Sequence, residues 1–168
     1  MMMRNKIDEI VDRLPKDEME NVYWSIKFIE DEYLFKKNLL DKGVIITELF
    51  EEAEEIKDLW DNTFAKSINE EMRESIHYNQ HKWHVFSYEK QKCLKEVAAR
   101  KAFDVVPKDE LYVMYQDLPY VIQYSEAHKV IAADFDSRQD IYIFDKNFTW
   151  TYVHTHESTC GPYFHKVK

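Results

Sequence analysis

Glycine is nearly absent. Only Gly43 and Gly161 occur among 168 residues. The P-loop, the dinucleotide-binding fingerprint and the nucleophile elbow each need several closely spaced glycines, so that backbone can approach phosphate or turn sharply. All three are excluded in their usual forms. Turns must use other residues, and Asn and Asp, which tolerate positive φ, are expected there. Cysteine is as scarce: Cys93 and Cys160 allow one disulfide and no disulfide framework. No apolar run approaches the length of about 18 residues that reads as a membrane span. The first residues, MMMRNKIDEIVDRLPKDE, lack the apolar stretch of a secretory signal. A cytoplasmic protein with reduced thiols is the expectation. Basic charge is also short: 23 Lys and Arg stand against 32 Asp and Glu, a formal net charge of −9. Phosphate backbones and anionic lipids are held by clustered basic side chains, and here these are scattered. Nucleic acid and membrane are therefore disfavoured as partners, and a basic protein is the electrostatically easier one.

What is present is aromatic. Phe, Trp and Tyr make up 15% of the chain and hydrophobic residues 45%, which supports a packed core and argues against disorder. The length suits one domain with an appended element. Ile7, Ile10, Val11 and Leu14 recur at helical spacing until Pro15 interrupts. A second helix is expected over 16–40. Met19, Val22, Ile26, Ile29 and Tyr33 step by three and four along one seam. Trp24, Phe28 and Phe35 lie off it, and a helix apolar on more than one side contacts two things. The segment RLPKDEMENVYWSIKFIEDEYL is similar to a helix pair of small bacterial proteins that associates helix to helix. That raises the expectation of a homodimer through the N-terminal helices.

Gly43 should end this region, which divides the chain into a helical extension, 1–42, and a compact domain, 43–168. GVIITE reads as a short strand. Leu49, Ala53, Ile56, Trp60 and Phe64 mark an amphipathic helix whose other face carries Glu51, Glu52, Glu54 and Glu55. Ser67 and Glu70 suggest a capping box for a further helix through Met72 and Ile76. Five aromatic and β-branched runs follow: 83–88, 110–116, 120–125, 140–145 and 148–157. A helix over 93–103 separates the first two. DKNF between the last two predicts a hairpin, and PYFHKV is a candidate terminal strand. The predicted class is α+β: N-terminal helices, then a mostly antiparallel sheet of about five strands with one intervening helix.

WHVFSYEKQKCLKEVAARKAFD and DIYIFDKNFTWTYVHTHESTCGPYF together resemble a small bacterial family, DUF4275, over roughly residues 43–165. The resemblance implies a compact cytoplasmic α+β domain. It implies no activity, cofactor or site residue, because the family has none assigned.

The run YVHTHESTCGPYF carries the most chemistry. On a regular strand His154 and His156 share a face with Cα atoms about 6.6 Å apart, a spacing from which two imidazoles converge on one metal. Cys160, His165 or an acid from a neighbouring strand would be the third ligand, zinc the ion, and a metal-dependent hydrolase the corresponding activity. Against this, the run lacks the second histidine of the helical zinc-protease motif and the pattern of zinc deaminases. Without a metal, the two histidines are the polar end of an aromatic stripe. Cys93 at a helix start, with His84, His154 or His156 as base, would be a nucleophile; an apolar Leu94 beside it favours a buried thiol. The sequence leaves open whether the protein is an enzyme. It favours a non-catalytic protein-interaction module without a cofactor, like the immunity proteins that share its small, acidic, aromatic composition. Trp24, Phe28, Glu51, Glu52 and Glu55 are its expected contact residues.

Overall fold

The computed structural model describes residues 2–167. The chain forms two compact units, Met1–Asn38 and Leu39–Lys168. In the first, α1 (Met3–Arg13) is followed by a short 3-10 turn, Lys16–Glu18, and by α2 (Met19–Asp41), whose last residues belong to the second unit. Pro15 forces the break: Leu14 before it is extended, at ψ 143°, because the proline ring excludes the helical region for its neighbour. α1 buries no residue, and α2 buries only Leu39.

The second unit is α+β, as expected. Gly43, at φ +89°, takes the left-handed conformation that stops α2, and its N–H donates to Leu40 O at 2.9 Å. An antiparallel sheet of seven strands follows, two more than the sequence pattern suggested. They are β1 (Ile45–Leu49), β2 (Leu94–Lys95), β3 (Leu111–Tyr115), β4 (Val121–Ser125), β5 (Ile141–Asp145), β6 (Trp150–His154) and β7 (Tyr163–Lys166), in spatial order β1-β4-β3-β5-β6-β7-β2. The helices are α3 (Ala53–Phe64), α4 (Glu70–Ser75), α5 (His84–Ser87) and α6 (Glu96–Val105).

The β5–β6 hairpin lies at the centre, and Asp145 builds its turn by accepting from the N–H groups of Thr149 and Trp150. Ile141 to Phe144 and Trp150 to Val153 are all buried, so both faces of the hairpin are covered. On one face, Tyr142, Phe144, Val153 and Tyr163 meet Trp60 and Phe64 of α3 and Phe86 of α5. On the other, Trp150 and Tyr152 meet Phe103 of α6, which stacks on Tyr152 at 4.5 Å. α6 is finished by Lys108, whose buried ammonium donates to Phe103 O, Asp104 O and Val106 O. These carbonyls lie at the negative end of the helix and compensate the cation there.

Four local expectations need correction. Residues 83–88 are a helical turn around α5, not a strand. β2 occupies the sheet edge beside β7, and the amides of 84–88 bond to carbonyls within their own turn. Val85 and Phe86 both enter the core, which a strand would send to opposite faces. The helix expected over 93–103 starts at Glu96, because Leu94 and Lys95 pair with Phe164 and Tyr163. α4 is capped by Asn69, whose side chain accepts from Met72 N–H, while Ser67 bonds to Lys90 O. Positive φ falls on Asp140 but otherwise on His77, Glu89, Glu96, Glu126 and Phe148, with no Asn among them.

Trp60 is fully buried and donates its indole N–H to Thr151 Oγ1 at 3.1 Å. Trp60→Ala should cost roughly 3–5 kcal/mol. Thr151→Val, which strands the indole N–H, should cost about 1–3 kcal/mol. Urea denaturation followed by circular dichroism measures both.

Candidate functional site

A polar cluster forms where β5 begins. Asp140, the residue before it, is left-handed at φ +50°, a conformation Asp tolerates better than most residues. Its carboxylate accepts from Trp83 Nε1–H at 2.8 Å and lies 2.9 Å from His156 Nδ1 through either oxygen. The N–H of His156 also points at Oδ1, at 3.3 Å.

Trp83 is held from behind. Its N–H donates to the Tyr142 hydroxyl at 3.1 Å, which donates to Gln116 Oε1 at 2.6 Å; the same Oε1 accepts from Lys82 N–H. Burial raises the Tyr142 hydroxyl well above its ordinary pKa, so it stays a neutral donor.

Two more histidines complete the cluster. His81 stacks on Trp83 with ring centroids 5.4 Å apart and lies 5.0 Å from the His156 ring. Its Nδ1 is buried, has no hydrogen-bond partner, and sits 3.9 Å from Asp140 Oδ2. His84 donates from Nδ1 to Ile76 O at 2.6 Å, and burial lowers its pKa below the ordinary 6.5. Deep-lying aromatic rings, a fixed carboxylate and clustered imidazoles thus meet at one end of the central hairpin.

His154 and His156, expected on one face of a strand, take different Nδ1 partners, and both line one cleft together with Cys160. β6 ends at His154, so strand alternation does not extend to His156. His154 follows Trp150 and Tyr152 toward the α6 face and donates from Nδ1 to Arg138 O at 2.7 Å. His156 turns to Asp140 instead. Cys160 is partly buried beside the core near Tyr163 and Glu157, and its thiol is raised, chiefly by burial. His165 is engaged with Lys92 O.

Among the described residues, His81, Asp140 and His156 place three donor atoms within 4.8 Å of one another, and Asp109, Glu126 and His128 do the same. The second set is exposed and is a surface ion pair network, with His128 at 3.4 and 3.2 Å from its two acids. Sequence reasoning missed His81, which has no motif spacing to His156; it allowed an acid from a neighbouring strand beside His156 without singling out Asp140 as that acid. The recurrence of His in NQHKWH was the only local signal.

The expected contact residues are at the surface. Trp24 and Phe28 are 60% and 64% exposed on α2. Glu51, Glu52 and Glu55 are exposed at the start of α3, while the neighbouring Ala53 and Ile56 are buried.

Cys93 precedes β2 rather than starting a helix, and burial pushes its thiol to about 11. Its alkylation rate should therefore keep rising from pH 7 to pH 10 without a plateau, as iodoacetamide labelling read by mass spectrometry will show; a neutral-pH plateau would restore the nucleophile.

A family model for a domain of unknown function, DUF4275, matches residues 33–164. The chain belongs to that family. No curated protein and no solved structure matches it. The match takes in His81, Asp140 and His156 and begins after Trp24 and Phe28. Among the described residues no helix is long and apolar enough to cross a membrane.

Proposed function

We propose that this member of the DUF4275 family is a protein-interaction module that acts by contact rather than by turnover, with α2 as its contact element. One observation carries the reading. Tyr23, Trp24, Ile26, Phe28, Ile29, Tyr33 and Leu34 of α2 are all half exposed or more. Apolar patches of this kind on soluble surfaces mark sites of association, and Trp and Tyr are the side chains that concentrate binding energy.

A second copy fits the order of charge along the helix. Asp17, Glu18 and Glu20 stand at its start and Lys36 and Lys37 near its end, with Phe28 midway. Two such helices running antiparallel bring each acidic end to the other's basic end, with the aromatic centre between them. The overall charge of −9, and the exposed Glu51, Glu52 and Glu55, make a basic protein the favoured heterologous partner, through faster encounter. That is the immunity-like form of the reading.

The alternative, a metal-dependent hydrolase on His154, His156 and Cys160, has less support. The three line one cleft, and His154 keeps Nε2 free because Nδ1 donates to Arg138 O. But His156 Nδ1 is engaged by Asp140, and burial raises the Cys160 thiol away from the thiolate that a metal takes.

Sedimentation velocity of the full chain tests self-association. A dimer should form at micromolar concentration, weaken with added salt, and revert to monomer in a Trp24→Ser, Phe28→Ser variant whose circular dichroism is unchanged. A wild-type chain that stays monomeric at every concentration would overturn the second-copy reading.

A further inference from the structure

We infer that His81, Asp140 and His156 form a binding site for one divalent transition ion of the zinc class, independent of the contact surface on α2. Three features of the cluster point to a ligand.

The first is an unfilled valence. His81 Nδ1 is buried and has no hydrogen-bond partner, yet it lies 3.9 Å from Asp140 Oδ2. That is too far for a hydrogen bond. A buried polar atom in this state costs stability unless something else meets it. A metal does so for an imidazole nitrogen.

The second is spacing. At metal–ligand distances of about 2.1 Å, two donors on one ion lie roughly 3 Å apart at a right angle and roughly 4.2 Å apart when opposite. Asp140 Oδ2 is 2.9 Å from His156 Nδ1 and 3.9 Å from His81 Nδ1, so both pairs fall within that range. Binding replaces the proton between His156 and Asp140 with the ion. If His156 starts as the imidazolium, that proton leaves Nδ1 for solvent; if it starts neutral, the proton moves from Nδ1 to Nε2 by way of solvent. In both cases His156 and His81 ligate as neutral imidazoles.

The third is support from outside. Metal-bound carboxylates and imidazoles are normally oriented by a further hydrogen bond. Asp140 Oδ1 is already committed to Trp83 Nε1–H, which leaves Oδ2 for the ion. The other ring nitrogen of His156 faces Glu157 Oε1 at 3.8 Å. Trp83 itself is fixed by Tyr142 and stacks on His81.

The donor set selects the ion. Two imidazoles and one carboxylate suit Zn²⁺ and its neighbours Co²⁺ and Ni²⁺, whereas Ca²⁺ and Mg²⁺ take oxygen ligands. Three protein ligands leave a position for water, as in open zinc sites. The three ligands come from the loop after α4, the start of β5 and the turn after β6, so the ion would tie three separate segments together.

The test is titration of the full chain, as purified and after EDTA treatment, with Co²⁺ and Zn²⁺. About one equivalent of Co²⁺ should give visible d–d absorption that Zn²⁺ displaces, and Mg²⁺ and Ca²⁺ should not compete. His81→Ala and His156→Ala should each weaken binding by more than about a hundredfold, beyond the roughly 10- to 100-fold typical of outer partners. His154→Ala and Cys160→Ala should bind as the wild type does. If either substitution at 81 or 156 prevents folding, ring-nitrogen NMR of the wild type decides: His81 and His156 should shift on zinc addition while His154 and His165 stay in place. Failure of the wild type to bind cobalt or zinc, loss of binding in the His154 or Cys160 variants, or shifts confined to other histidines would overturn the site. None of these results depends on the oligomeric state, so failure here leaves the α2 reading intact.

Discussion

Burial of the β5–β6 hairpin on both faces is the constraint from which the rest of the second unit follows. A strand pair exposed to solvent needs one apolar face; this one needs two covers. α3 and α5 supply one through Trp60, Phe64 and Phe86, and α6 supplies the other through Phe103. The aromatic wealth of the chain is spent there. Large rings fill a broad interlayer space with few side chains, and their edge-to-face contacts give each pair a preferred geometry. Trp60 meets Phe64, Phe86 and Tyr142 at once and still satisfies its indole N–H on Thr151.

The polar cluster is a by-product of that packing. Once β5 is fixed, Asp140 must lie at its mouth, and Tyr142 one pleat further in presents its hydroxyl to the backbone of Trp83. The loop carrying His81 and the start of α5 at His84 are thereby held against the hairpin end. Positions that serve the core thus also orient a carboxylate and two imidazoles, an arrangement that a surface loop alone would not keep. By contrast, Tyr23, Trp24, Ile26, Phe28, Ile29, Tyr33 and Leu34 of α2 are largely exposed.

The class of fold and most strands were legible because their signals are local. Alternating β-branched and aromatic residues over 110–116, 120–125 and 140–145, the turn chemistry of Asp145, and the stop at Gly43 act through backbone sterics and nearby hydrogen bonds. Residues 83–88 misled for the same reason. Their composition suits a strand, but the edge beside β7 was taken by Leu94 and Lys95, and a single helical turn could bury both Val85 and Phe86. His154 and His156 take different partners, Arg138 O and Asp140, because alternation holds only while the strand continues, and β6 stops at His154.

Sequence alone determined the composition-level facts: too few glycines for the usual phosphate-binding loops, an acidic surface, aromatic strands after N-terminal helices, and an α2 segment apolar on more than one side. Each follows from residue type and short spacing. Tertiary structure alone decided which histidine meets which acid. His81, Asp140 and His156 are separated by 59 and 16 positions in the numbering. They are brought together only because the hairpin, its turn and the loop before α5 close on a shared core, and no periodicity along the chain encodes that closure.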